Sequence, residues 1–250
     1  MTINFSEIKL SRKPLPPRII LYGEPKIGKS KFCSNIPNAI FLDVEGGTGH
    51  LDIRRVEREF LSTWADICAA LDGLLVQEHD FQAAIIDTAD FMEKVLQLQA
   101  ATEHDVRTFA KIGYGKGDVS VANMWREVTQ KLDALRERRG MAIILIAHET
   151  VKKVTEPEAD SSYDRFTLAV SPKSAELLEA WADAILFAKV EVYTSKKKEG
   201  LKEKVTAVEG DRVLLTRNAP HHLAGNRYNL PEVLPFTWEA FSQAFIEATK

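Results

Sequence analysis

The sequence predicts an α/β protein built on a mainly parallel, doubly wound, twisted sheet flanked by helices. Three observations carry that expectation. Short apolar runs alternate with segments of helical period, most runs end on a polar residue or glycine, and 250 residues are enough to bury one sizeable core.

The runs are Arg18 to Tyr22, Ala39 to Asp43, Ala83 to Asp87, Met141 to Ala147 and Ala184 to Val190. Each is apolar in both alternations, as a strand covered on both faces must be. Between them, Trp64, Ile67, Cys68, Leu71, Leu74 and Leu75 repeat with helical spacing behind a cap at Ser62 or Thr63. A second helix is expected over Val121 to Arg139, stopped by Gly140. Asp105 to Ser120, with Gly113, Gly115 and Gly117, and the polar stretch Glu149 to Pro172 read as long mobile loops. Loops beyond about 15 residues in a compact domain usually serve function. From Val190 the chain reads as antiparallel strands turned at a Lys-rich stretch and at Glu209-Gly210-Asp211. A short final helix follows, with Trp238, Phe241 and Phe245 on its apolar face. The expected organisation is a single domain over 1–250, with a core of about 18–193 and a C-terminal β extension and helix of about 194–250.

Thirty-three Lys and Arg against 36 Asp and Glu leave a net charge of −3, so contact with any polyanion has to be local. The longest apolar stretches, such as Met141 to Ala147, are too short to cross a bilayer, and "MTINFSEIKLSRK" lacks the apolar centre of a signal peptide. The expectation is a soluble, cytoplasmic protein with no membrane contact. Cys33 and Cys68 form neither a disulfide framework nor a CxxC knuckle and read as packing residues. His221-His222 lacks partners at metal-ligand spacing.

"GEPKIGKS", residues 23–30, follows the first apolar run and opens a helical segment, the context in which G-x-x-x-x-G-K-[ST] marks a phosphate-binding loop. Gly23, Glu24, Pro25, Lys26, Ile27, Gly28, Lys29, Ser30 and Lys31 make up the expected nucleotide contact. Glycines let backbone N–H groups turn inward around a phosphate. Lys29 would reach the β- and γ-phosphates, and Ser30 would place its hydroxyl on Mg²⁺.

Hydrolysis further requires a held metal and an aimed water. "AAIID" delivers Asp87 to a strand end, suited to the metal's water shell. The next residue is Thr88 rather than Glu, so the water-orienting carboxylate must come from elsewhere. Glu45 in "FLDVEGG" is the candidate, with Asp43 as its rival. His148, ending "AIILIAH", could touch the γ-phosphate and report its loss to the segment that follows.

Taken together, these residues resemble the RecA-type P-loop ATPase core. "FLDVEGG", "YGKG" at Tyr114 to Gly117, "LIAHE", "WADAILFA" and "NRYNLP" are similar to the phage ATP-binding single-strand annealing proteins of the Sak type, over about Ile19 to Trp238. The resemblance implies ATP and Mg²⁺ as cofactors, single-stranded DNA as partner, and a homo-oligomer in which a neighbour's basic residue completes the ATP site. Arg217 is the candidate for that residue, ahead of Arg227 and Lys189. A single-strand-binding protein is a further partner that the resemblance implies. The chain departs from the family in having no room for the accessory domains of full-length RecA and in having Gly225 before Asn226.

Single-strand binders pair basic grooves with aromatic platforms. The first expected loop offers Arg107, Phe109, Lys111, Tyr114 and Lys116, and the second offers Lys152, Lys153, Tyr163, Arg165 and Phe166. "SKKKEGLKEK" is the densest basic run and reads as a solvated hairpin tip. The leading expectation is an ATP-dependent, DNA-coupled annealing or recombination ATPase. The alternatives are a nucleotide-switched loader and a small-molecule kinase; the chain carries no Arg-rich lid of the kind a kinase would need.

Overall fold

The computed structural model describes residues 15–113, 115–155, 161–199 and 202–250, and for 194–209 the backbone alone. Five of its six parallel strands grow from the apolar runs, while the short, polar β3 is not among them: β1 (Arg18–Gly23), β2 (Ala39–Asp43), β3 (Arg54–Val56), β4 (Ala83–Asp87), β5 (Ala142–Val154) and β7 (Ala184–Glu199). Between β5 and β7 lies β6 (Tyr163–Leu168). Beyond β7 come β8 (Lys202–Leu215), β9 (Gly225–Asn226) and β10 (Val233–Pro235). The helices are α1 (Lys29–Cys33), α2 (Trp64–Val76), α3 (Ala89–Glu103), α4 (Lys116–Arg138), α5 (Pro172–Trp181) and α6 (Trp238–Thr249).

The strand order is β10-β8-β7-β1-β5-β4-β2-β3, with β6 paired to β5 and β9 to β7. Strands β7, β1, β5, β4, β2 and β3 are parallel, while β8 and β10 extend one edge antiparallel. Period-two alternation splits each central strand between two cores. Ile20, Tyr22, Ile86, Leu145 and Phe187 face α2, α3, α4 and α5, whereas Leu21, Phe41, Ile85, Ile146 and Leu186 face α1 and α6. The sheet is therefore covered on both sides, which is why its strands are apolar throughout.

Local chemistry sets the element ends. Thr63 and Asp66 form a reciprocal capping box at the start of α2. Glu93 of α3, buried, accepts from the Trp125 indole of α4 at 3.0 Å and from the Ser171 N–H at 2.7 Å, locking three elements with one carboxylate. Asn226 of "NRYNLP" donates to the Thr216 carbonyl and accepts from the N–H groups of Tyr228 and Leu230, so it fastens the chain after β9 to the end of β8. At the amino ends of β1 and β7, Asp183 pairs with Arg18 at 2.9 Å and Arg136 at 3.0 Å.

Three expectations are corrected here. Glu149 to Pro172 is not one long loop: β5 continues to Val154 and pairs antiparallel with β6, Lys152 opposite Arg165. Polar residues on both faces of that hairpin erase the periodicity a core strand would show, yet the backbone ladder forms regardless. Asp105 to Ser120 is shorter than expected, because α4 begins at Lys116 and Phe109–Lys111 forms a 3-10 turn. Gly117 is part of the helix, where a Cβ would lie 2.7 Å from the Phe109 ring. Nor does Glu209-Gly210-Asp211 turn the chain: β8 runs straight through it beside a register shift between Val190 and Val192. A Cβ on Gly210 would sit 2.5 Å from the Tyr193 ring, so glycine here serves a close side-chain approach rather than a reversal. No helix among the described residues is long and apolar enough to cross a membrane.

Candidate functional site

The carboxyl ends of β1, β4 and β2 and the middle of β5 meet at one cleft of about 280 Å³, lined by Lys29, Ser30, Glu45, Asp87 and His148 among others. Parallel sheets place their ligands at this edge. The register explains the convergence: Gly23 is opposite His148, and Asp43 is opposite Asp87. Because β5 lies between β1 and β4, His148 falls between the phosphate loop and Asp87.

The loop is built by two left-handed residues, Lys26 at φ 68° and Gly28 at φ 112°. Gly28 needs its glycine for that conformation, and the Arg212 guanidinium reaches to 3.6 Å from where a Cβ would be, an ordinary contact distance. Lys29 is only 5% exposed and donates to the carbonyls of Gly23 at 2.9 Å and Glu24 at 2.8 Å. Burial lowers its pKa, while Asp87, Asp90 and Glu45 oppose that loss. Helix α1 has only 5 residues, so a phosphate here depends on the loop N–H groups and Lys29 more than on a long helix dipole.

Asp87 is buried, and its Oδ2 has no hydrogen-bond partner. Burial first, then the fields of Glu45 and Asp43, push its pKa up to about 6, against a hydrogen bond from Ser30 and the charge of Lys29. A buried carboxylate oxygen with no partner is costly unless a ligand satisfies it. Beside the Ser30 hydroxyl, this donor set fits a hydrated divalent cation of the Mg²⁺ kind.

Asp43, the rival for the water-orienting role, is fully engaged elsewhere. Its Oδ1 accepts from the N–H groups of Gly46 at 2.8 Å and Gly47 at 3.1 Å, and its Oδ2 from the Thr48 N–H at 3.2 Å and hydroxyl at 2.5 Å. It shapes the loop that carries Glu45, whose own N–H bonds to the Asp87 carbonyl at 3.0 Å. Glu45 is the half-buried carboxylate left facing the cleft.

The other sequence candidates lie away from this cleft. Arg217 is exposed past the end of β8 and does not line the pocket of its own chain. Arg107, Lys111 and Lys116 are exposed around the 3-10 turn and the start of α4, and Lys152 and Lys153 are exposed on β5. Arg165 is half-buried and donates to Asn218 at 2.5 Å. Two of the aromatic candidates serve packing: Phe109 against Gly117, and Phe166 against Phe187 with ring centroids 5.4 Å apart. Tyr114 and the side chains of the "SKKKEGLKEK" run lie outside the described residues.

Sequence reasoning passed over two residues. Asp90 accepts from both the backbone and the ring of His148, yet in sequence it looks like an ordinary first-turn helix carboxylate. Arg212 begins the segment whose end, Arg217, drew attention; the antiparallel run of β8 brings the former, not the latter, to the phosphate loop.

A phosphate loop on β1 and, two strands away, a strand end carrying a cation-ready carboxylate define a P-loop nucleotide-binding ATPase fold. Residues 15–228 match the family model described as an AAA domain, and the chain belongs to that family of P-loop ATPases. A search of the curated proteins found no match.

Proposed function

We propose that this chain is a RecA-like ATPase of the Sak type that binds single-stranded DNA and couples ATP hydrolysis to annealing or recombination. It would act as a homo-oligomer in which Arg217 reaches a neighbour's site. The observation that carries the reading is β5. It runs unbroken from His148 in the phosphate cleft to Lys152 and Lys153 on an exposed hairpin, linking a phosphate contact to a basic surface.

In this reading the loop N–H groups and Lys29 bind the phosphates, and Lys29 must exchange the Gly23 and Glu24 carbonyls for phosphate oxygens. Ser30 and Asp87 would hold Mg²⁺, which supplies charge neutralisation on the phosphate oxygens when bound. Glu45 orients the attacking water, and the Asp43-held loop keeps it in place. His148 senses the terminal phosphate and passes the change along β5.

The test is ATP turnover measured against oligo-dT concentration, with binding followed by fluorescence anisotropy. Turnover should rise with oligo-dT, Lys29→Ala should abolish nucleotide binding, and Glu45→Gln should bind ATP without turning it over. No oligo-dT binding tighter than roughly 100 µM, the weak end of non-specific DNA binding, would overturn the DNA assignment. Normal turnover by Glu45→Gln would overturn the role of Glu45.

A further inference from the structure

One carboxylate beside the cleft has no part in phosphate, cation or water chemistry. Asp90, in the first turn of α3, is 9% exposed. Its Oδ1 accepts from the His148 backbone N–H at 3.0 Å, and its Oδ2 accepts from Nδ1 of the same residue at 3.0 Å. Both oxygens therefore hold one residue, at its backbone and at its ring. Phe91 sets its ring edge-on to the imidazole, with centroids 6.5 Å apart. Burial works to raise the Asp90 pKa, but the bonds from His148 outweigh it and keep Asp90 below the ordinary carboxylate range. A first-turn Asp ordinarily serves its own helix, by favouring the positive end of the dipole. Here the carboxylate instead crosses to the neighbouring strand.

We infer that Asp90 is a positioning residue, which fixes the ring of His148 at the cleft and clamps α3 to β5 at the point where nucleotide state is sensed. With Nδ1–H given to Asp90, Nε2 is the ring nitrogen left for the pocket, and among the described residues it makes no other hydrogen bond. The orientation of a functional histidine is commonly set by what its other nitrogen binds. The same contact joins the roots of both basic surfaces. From Asp90, α3 runs to Glu103 and on to Arg107 and Lys111; from His148, β5 runs to Lys152 and Lys153. A movement of His148 is therefore delivered to two elements at once. The inference deepens the ATPase reading above and rests on it for its kinetic consequence.

The experiment is a double-mutant cycle on the full chain, with Asp90→Ala, His148→Ala and the double variant. ATP turnover is measured with and without oligo-dT, alongside melting temperature. Loss of the partner that orients a metal-bound histidine typically costs about 10- to 100-fold, and a cost of the same order is expected for His148. Asp90→Ala should lower kcat by about that factor, leave KM for ATP within about two-fold and abolish oligo-dT stimulation. The double variant should be no slower than His148→Ala alone, the non-additivity expected of residues acting through one contact. Asp90→Asn keeps an acceptor for the His148 N–H but presents an amide to Nδ1. It should melt close to the wild type and still turn over slowly. Multiplying effects in the double variant, or a raised KM with unchanged kcat, would overturn the assignment. A readout independent of catalysis separates this from failure of the ATPase reading: histidine ¹⁵N NMR should show Nδ1 of His148 protonated in the wild type and altered in Asp90→Asn. A wild type without turnover sinks the ATPase reading, and an unchanged His148 signal then sinks the clamp.

Discussion

Gly23 lies so close to Ala188, its neighbour on β7, that a Cβ there would run into the Ala188 carbonyl oxygen. The first glycine of the phosphate loop is therefore fixed by sheet packing as well as by the loop. Gly23→Ala should force β1 and β7 apart, at about 1–3 kcal/mol for an overpacked core. In a chain of this size that corresponds to a fall in melting temperature of several degrees. Because the Gly23 carbonyl also accepts from Lys29, ATP affinity measured by isothermal titration should fall as well. An unchanged melting curve would mean that the strands give way freely.

Asp43 and Glu45 stand two residues apart and should respond to substitution in different ways. Asp43 makes four hydrogen bonds within its loop, two of them to the buried Thr48, so Asp43→Ala leaves the Thr48 N–H and hydroxyl without that partner, at about 1–3 kcal/mol for each one left unsatisfied. It should melt several degrees lower and lose turnover together. Glu45→Gln removes a charge from a half-exposed site and should melt like the wild type while losing turnover alone. Differential scanning fluorimetry beside an ATPase assay separates the two. A thermally neutral Asp43→Ala would remove its structural role.

The contrast between these carboxylates shows what the sequence could and could not reveal. "AIFLD" and "AAIID" were legible as strands because both faces of each are buried, so every residue carries the signal. Their terminal aspartates looked alike in sequence. Only the fold shows that one is saturated by N–H donors and the other retains an oxygen without a partner. The β5–β6 hairpin was illegible for the opposite reason: with Lys152, Lys153 and Asp164 on its surface, neither face has the apolar period that marks a strand. Asp90 was hidden because its partner, His148, is 58 residues away in sequence.

At the far end of the sheet, Asp183 is 5% exposed and holds Arg18 and Arg136. Burial would raise its pKa, but the hydrogen bonds and charge of Arg18, with Arg136, hold it below the usual value. A depressed carboxylate contributes stability above its unfolded pKa and loses it as pH falls through the folded one, so this contribution is absent only in strong acid. Asp183→Ala leaves two part-buried guanidinium groups without it, a loss of about 3–5 kcal/mol by analogy with broken buried pairs. Urea denaturation at neutral pH should show a lower midpoint with an unchanged slope. A midpoint like that of the wild type would mean that Asp133, which also pairs with Arg18, takes over.

His222 supplies a second pH dependence, at higher pH. It is 5% exposed, donates Nε2–H to the Arg217 carbonyl at 2.9 Å, and has a buried Nδ1 without a partner. It packs against the Phe187 ring on one side and His221 on another, with Lys189 of β7 and Arg165 of β6 contributing positive fields. Burial first, then His221 and those cations, lower its pKa from the ordinary 6.5, outweighing the bond to Arg217. The unfolded chain therefore takes up its proton at higher pH than the folded one. Stability should fall as pH drops through about 6.5, with a slope of up to about 1.4 kcal/mol per pH unit for one proton, until the folded pKa is reached. Asp87 works the other way, because its raised pKa lets the folded state bind the extra proton between 3.8 and about 6. Subtracting the curve of His222→Asn from that of the wild type cancels Asp87 and leaves the His222 part. The wild type should lose ground to the variant steadily below about pH 6.5. A constant gap between the two curves down to about pH 5 would show that His222 titrates alike in the folded and unfolded chain.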